Sequence, residues 1–171
     1  MRLFVAVWPP AEAVDAVAAL ARPPVDGLRW TTPDQWHVTL RFIGSVDDPA
    51  PVIAALRGPV AALSPASVRM GPVLGRFGRR VLHVPVDGLV DVAGIVNEAT
   101  APFGQAPDDR PFHGHVTLAR ARDRRGVDLR GFDGAACGPV EWTADEVTLV
   151  RSQLGRGGAT YDVVDVVKMG G

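Results

Sequence analysis

The chain has 171 residues, 47% of them hydrophobic and 22% charged, with a formal net charge of −1. These values exclude a disordered chain and a protein that coats nucleic acid by bulk electrostatics, and the length suits a single compact domain over residues 1–171 made of two lobes. The one cysteine, Cys137, excludes an internal disulfide or a multi-cysteine zinc site and fits a reducing compartment, while the positive charge is almost all arginine, a bias that a high-GC genome alone can produce.

Arg2 to Val7 reads as a first strand, and Pro9-Pro10 stops it too early for a signal-peptide core. A helix is expected from about Pro10 to Ala21, where Val14, Val17 and Leu20 recur at helical spacing and proline is tolerated in the first turn. Glu12, Asp15 and Arg22 interrupt this stretch, no other apolar run reaches membrane-spanning length, and a cytoplasmic protein is expected. After Pro23-Pro24 and Gly27, a short strand at Leu28 to Trp30 precedes Thr32-Pro33-Asp34 and a longer strand from Trp36 to Ile43. A second helix fits Pro51 to Leu63. Ser67 to Val73 and Arg80 to Val86 read as the strands of a hairpin about a Gly75 to Gly78 turn. A third helix fits Leu89 to Ala101. It is followed by a strand from Phe112 to Ala119, an Arg- and Gly-rich connection, and strands at Glu146 to Ser152 and Tyr161 to Val167 joined through Gly155-Arg156-Gly157-Gly158. Helices and hairpins intermingle, which predicts an α+β fold and argues against an all-parallel sheet.

The tetrapeptide His-Val-Thr-Leu occurs twice, at 37–40 and 115–118, 78 residues apart. Side chains alternate in a strand, so His37 and Thr39 share one face, as do His115 and Thr117. A single His-x-Thr on a half-buried strand is usually a hydrogen-bonded structural feature. Two copies, each following a helix, point instead to two similar lobes that each offer one motif to a central groove. Two imidazoles that titrate near neutrality, with two hydroxyls between them, suit phosphoryl chemistry that needs both a base and an acid.

Further residues extend the pattern: Arg2-Leu3-Phe4-Val5-Ala6-Val7 with its prolines, Arg29-Trp30 leading to Trp36-His37-Val38-Thr39-Leu40-Arg41-Phe42-Ile43-Gly44, Arg110-Pro111-Phe112-His113-Gly114-His115-Val116-Thr117-Leu118-Ala119-Arg120, and Ser152-Gln153-Leu154 with Gly158 and Tyr161. On these residues the chain resembles the bacterial and archaeal 2′-5′ RNA ligase family of RNA 2′,3′-cyclic phosphodiesterases, within the two-histidine phosphoesterase superfamily. The resemblance implies a bilobal α+β fold with pseudo-two-fold symmetry, two antiparallel or mixed sheets with outer helices around a cleft. It implies RNA ends or nucleotides carrying a 2′,3′-cyclic phosphate as partners, opened to a 2′-phosphate, with 2′-5′ ligation as the reverse reaction. Carried over residue by residue, His37 would protonate the departing O3′, His115 would take a proton from the attacking water, and Thr39 and Thr117 would hold phosphate oxygens. No cofactor, metal, membrane or obligate protein partner is expected.

Arg120, on the tail of the second motif, is a candidate phosphate or RNA contact, and Arg151 and Ser152 beside the Gly-rich loop are further candidates. Phe4 and Trp30 could stack a base, although aromatic residues in or next to strands are more often core. Three positions depart from the family pattern. His83 stands where members often carry tryptophan, and Gly114 replaces a proline common before the second motif histidine. His113 is expected to share a strand face with His115, which raises a zinc alternative that lacks a placed carboxylate. Two other functions stand beside the leading one: a phosphodiesterase for a small cyclic-phosphate nucleotide or a 2′-5′ oligonucleotide, and a non-catalytic module that binds RNA ends.

Overall fold

The computed structural model describes residues 1–155 and 158–170, so Arg156 and Gly157 of the expected Gly155–Gly158 connection lie outside the described residues. In chain order the elements are β1 (Arg2–Val7), α1 (Ala11–Ala18), β2 (Leu28–Trp30), β3 (Val38–Ser45), α2 (Ala50–Ala61), β4 (Ala66–Met70), β5 (Gly75–Phe77), β6 (Val81–Asp87), α3 (Val90–Thr100), β7 (His115–Ala121), β8 (Val140–Ala144), β9 (Glu146–Gly155) and β10 (Gly158–Lys168).

Several boundaries differ from expectation for local reasons. α1 stops short of Ala21 because the Leu20 amide bonds back to Val17 and the Arg22 guanidinium takes the Ala18 carbonyl, just ahead of Pro23. β4 and β6 do pair, at Arg69↔Asp87 and Met70↔Val86, but the anticipated turn contains β5, which folds back so that Gly75 lies opposite His83. β8 has no counterpart among the expected strands, although Val140, Trp142 and Ala144 alternate with Glu141 and Thr143 as a half-buried strand should.

Every strand pairing among the described residues is antiparallel, along the path β10-β9-β1-β3-β7-β6-β4-β8, with β2 beside β7 and β5 beside β6. The two expected sheets are therefore halves of one curled sheet, and no parallel pair occurs among those residues. The seam is narrow: β3 and β7 meet at the single pair Val38↔Val116. Each helix that precedes a motif strand packs on the opposite half. α1 lies against β8, whereas α3 lies against β3 and α2, and α2 reaches β10.

The main core fills the space between the helices and one face of the sheet, with Val38, Leu40, Val116 and Leu118 of the motifs inside it. The other face carries a separate cluster of Phe4, Ala6 and Val150, flanked by Trp8 and Tyr161. Arg41 is the charged residue that enters the helical side, 4% exposed. Its Nη2 donates to the carbonyls of Thr100, Phe103 and Gln105 at 3.2, 3.2 and 2.8 Å. A cation at the C-terminus of α3 satisfies carbonyls that the helix leaves open, and it clasps the following loop onto β3. Burial lowers the pKa of this guanidinium from its ordinary value.

Candidate active site

Both motif strands are bulged at the leucine of the repeat. Thr39 pairs with Ala6 and Arg41 with Val5, leaving Leu40 without a partner on β1. Thr117 pairs with His83 and Ala119 with Leu82, leaving Leu118 without a partner on β6. One extra residue resets the alternation of faces. Arg41 consequently joins Val38 and Leu40 on the helical side, and the position five residues after each histidine returns to the histidine face. That position is Phe42 in one half, with its ring 5.9 Å from Phe4, and Arg120 in the other, with Nη2 3.4 Å from Thr117 Oγ1.

The seam sets the rest of the geometry. Val38 opposes Val116, the pair at which β3 and β7 meet, so the histidine and threonine of each motif flank that pair on their own strand. The two imidazoles are near enough for the charge of His115 to act on His37. A further contact fixes the two motifs relative to one another. Thr31 Oγ1 lies 2.8 and 2.9 Å from the carbonyls of Thr117 and Leu118 and accepts from Trp36 Nε1 at 3.0 Å. Trp36, fully buried and immediately before His37, is thereby tied to the bulge of the second motif.

The two imidazoles occupy different environments. His37 packs against the rings of Phe4, Trp8 and Tyr161 at 4.8, 5.3 and 5.0 Å, and its Nε2 lies 3.1 Å from Thr39 Oγ1. Desolvation pushes its pKa down to about 4, the Gln35 backbone opposes the shift, and Arg120 and His115 add to it. The Gln35 backbone does so without reaching hydrogen-bond geometry, since Nδ1 is buried with no partner. His115 Nδ1 lies 2.7 Å from the carbonyl oxygen of His113. A carbonyl can only accept, so Nδ1 carries the proton and Nε2 of the neutral ring is left with its lone pair free. Its pKa is also lowered, first by burial, with the His113 carbonyl opposing and the charges of Arg120 and His113 reinforcing.

A third histidine belongs to this face. His83 opposes Thr117 on β7 and Gly75 on β5, is 7% exposed, stacks on Phe77 at 4.2 Å, and has its ring 5.2 Å from that of His115. A side chain at position 75 would drive into the His83 ring, so glycine there is a packing requirement. Desolvation pushes His83 down to about 4, with the charge of His115 contributing.

Arg120 meets no carboxylate among the described residues. Burial and the nearby charges of Arg29 and Arg80 lower its pKa, against a raising influence of Tyr161. Arg29 lies directly opposite Arg120 on β2, and its guanidinium rests against Gly158. Tyr161 packs edge-on to both His37 and Phe4, and burial raises its hydroxyl pKa. Arginines that form no ion pair among the described residues, beside two hydroxyls and two imidazoles, make a site for an anion.

The other candidates fall outside this arrangement or at its margin. Arg151 pairs with Asp162 at 2.8 Å and shares its face with Leu3, away from the histidines. Ser152 pairs with Tyr161 on the histidine face and makes no hydrogen bond to either motif. Phe4 is 1% exposed beneath His37 and leaves no ring face for a base. Trp30 turns to the core side, donating Nε1 to the Pro23 carbonyl and packing against Phe132. His113 precedes β7 instead of sharing its face with His115, and among the described residues no group of three His, Cys, Asp or Glu side chains could hold a metal ion. Thr31 and Phe77 were not singled out by sequence reasoning, and Arg29 and Tyr161 entered it as parts of the family pattern without a role of their own.

A family model described as 2′-5′ RNA ligase superfamily matches residues 7–156. An Aeropyrum pernix protein named RNA 2′,3′-cyclic phosphodiesterase is 32% identical over 149 residues, spanning 79% of this chain and 82% of its own. An Escherichia coli protein of the same name is 29% identical over 170 residues, spanning 94% and 92%. Among solved structures, one from Thermus thermophilus matches with a TM-score of 0.78 at 26% identity, covering 100% of this chain and 99% of its own. Escherichia coli LigT complexed with 3′-AMP matches with a TM-score of 0.77 at 26% identity, covering 98% and 97%.

Proposed function

The chain belongs to the 2′-5′ RNA ligase superfamily, and from that membership we propose that it is an RNA 2′,3′-cyclic phosphodiesterase working as one unit over residues 1–171, each half supplying one His-x-Thr motif. The observation that carries this reading is the meeting of the two motifs at the Val38↔Val116 pair, with the charge of His115 acting on His37 and Arg120 beside Thr117.

In-line displacement at phosphorus needs the entering and leaving oxygens on opposite sides, and imidazoles supplied by the two strands that meet at the seam meet that need. His115, with Nδ1–H held by the His113 carbonyl, presents Nε2 to an attacking water and takes its proton. The water oxygen bonds to phosphorus, the bond from phosphorus to O3′ breaks, and His37 protonates O3′ to leave a 3′-hydroxyl and a 2′-phosphate. Thr39, Thr117 and Arg120 donate to the non-bridging oxygens, where charge gathers in the transition state. The partner is an RNA end or nucleotide bearing the cyclic phosphate. No helix among the described residues is long and apolar enough to cross a membrane, and a cytoplasmic location is part of the proposal.

The test is incubation of the purified protein with a 2′,3′-cyclic mononucleotide in EDTA. Turnover supports protein-based acid–base catalysis. Binding without turnover would favour the non-catalytic module, and activity that returns only with one divalent ion would favour metal chemistry.

The pH dependence follows from the site. His37 is pushed down to about 4 and His115 is also lowered, so in the empty site both limbs of the kcat/KM profile lie on the acid side of the ordinary imidazole value of about 6.5. A bound phosphate anion favours the charged imidazole, so kcat should peak at higher pH than kcat/KM. Arg120→Met removes a charge that depresses both histidines, and its kcat/KM optimum should move toward alkali while KM rises. A wild-type kcat/KM optimum above pH 7, or an unmoved optimum in the variant, would contradict the electrostatic reading.

A further inference from the structure

We propose that arginines at the open edge of β2, β6 and β7 form a track for the backbone of single-stranded RNA, leading away from the reacting phosphate, so that the preferred substrate is the end of a chain and not a mononucleotide. This deepens the phosphodiesterase reading and rests on it.

The distribution of arginine carries the inference. On the other surfaces Arg57, Arg69, Arg76, Arg110, Arg130 and Arg151 each lie within 4.0 Å of a carboxylate. Arg41 of β3 is buried against the end of α3 and its following loop, and Arg22 caps α1 and lies over the Trp36 ring. Apart from Arg2, the described arginines without such a partner come from three segments that meet at one edge. Arg29 is on β2, Arg79 and Arg80 precede β6, Arg120 is on β7, and Arg122, Arg124 and Arg125 follow it. A compositional excess would scatter uncommitted arginines over the surface, and here they are gathered.

Backbone bonds lace the three segments together. The Ala121 amide donates to Arg80, Val127 to Arg79 and Arg122 to Gly27, each at 2.8 Å, and Arg29 opposes Arg120 in the ladder. Gly126, at φ +71, lets the loop press on the Arg79 carbonyl, where a Cβ would collide. The cations are thus held side by side against their mutual repulsion. Asp26 and Asp123 offset them in part, the latter accepting from the Arg125 amide at 2.8 Å. At the outer margin an open recess of about 490 Å³ is lined by Pro24, Asp26, Leu28, Arg29, Trp30 and Arg122. Such an edge fits a flexible polyanion that starts at Arg120 and Thr117 and runs outward.

The experiment compares wild type with a variant carrying Arg79→Gln, Arg122→Gln, Arg124→Gln and Arg125→Gln, whose side chains make no hydrogen bond among the described residues and lie outside the proposed catalytic group. Binding of a fluorescein-labelled single-stranded RNA with a 3′-hydroxyl end is measured against salt, and turnover of a 2′,3′-cyclic mononucleotide is measured in parallel. Each phosphate neutralised on a single strand contributes about −0.7 to the slope of log affinity against log salt, so losing three to four contacts should flatten the slope by roughly 2 to 3 and weaken binding about tenfold at moderate salt. Mononucleotide kcat/KM should stay within about twofold. Equal RNA affinity and slope in the two proteins would overturn the track, as would a parallel loss of mononucleotide turnover. Weakened RNA binding with no turnover, by either protein, of an oligonucleotide ending in 2′,3′-cyclic phosphate would leave the track standing and remove the phosphodiesterase reading.

Discussion

Replacing His37 or His115 with alanine is expected to lower kcat/KM on a cyclic-phosphate substrate by ~10²–10⁴, the range of a positioned acid or base. The double variant should be little worse than either single one, because both groups act in one transition state. The fold should survive, since each imidazole makes a single hydrogen bond among the described residues and otherwise rests against aromatic rings on the sheet face, outside the main core. Stability adds a second readout. With its folded pKa near 4, His37 stays neutral while the unfolded chain takes up a proton below about 6.5. Wild-type stability should therefore decline as pH falls from about 6.5 toward 4, and His37→Ala should reduce that decline. Near-normal rates in either single variant, or fully additive losses, would sink the paired assignment.

Arg41→Met is expected to cost about 3 kcal/mol or more, because the change keeps an apolar stem but leaves the carbonyls of Thr100, Phe103 and Gln105 without their charged donor in a buried place. For a chain of this size that is roughly a 10 °C fall in Tm. The loop after α3 closes on the end of β3, where the Gln105 amide also meets the Ile43 carbonyl at 2.7 Å, so loosening it should blur the strand that carries His37 and Thr39. Activity should fall with stability and recover on cooling. A Tm within about 2 °C of wild type would mean that water replaces the guanidinium at little cost.

The sequence carried the motifs because a histidine and a threonine two residues apart must share a face, whatever the rest of the chain does. It also carried β1, β2 and α3, whose periodicity agrees with their surroundings. The bulges at Leu40 and Leu118 were illegible, since they arise from the register with β1 and β6 and leave no mark in the local pattern. Their consequence is large. Without them Arg41 would share the histidine face and Arg120 would turn away. Thr31 could not be found for a similar reason, as its partners lie 86 and 87 residues further on. β5 exists because β6 offers it an edge, and Gly75-Arg76-Phe77 has no strand signal of its own. Phe4 illustrates the opposite case, where an aromatic in a strand proved to be packing, with His37 laid over it.

The assignment of His37 as donor and His115 as acceptor is tested most directly by the position of the product phosphate. An oligonucleotide ending in 2′,3′-cyclic phosphate, hydrolysed to completion by the wild-type protein, should give a 2′-phosphate and a free 3′-hydroxyl by phosphorus NMR. A 3′-phosphate product would mean that the ribose lies the other way round between the two imidazoles and that their roles are exchanged. An untouched cyclic end would contradict the proposed activity itself.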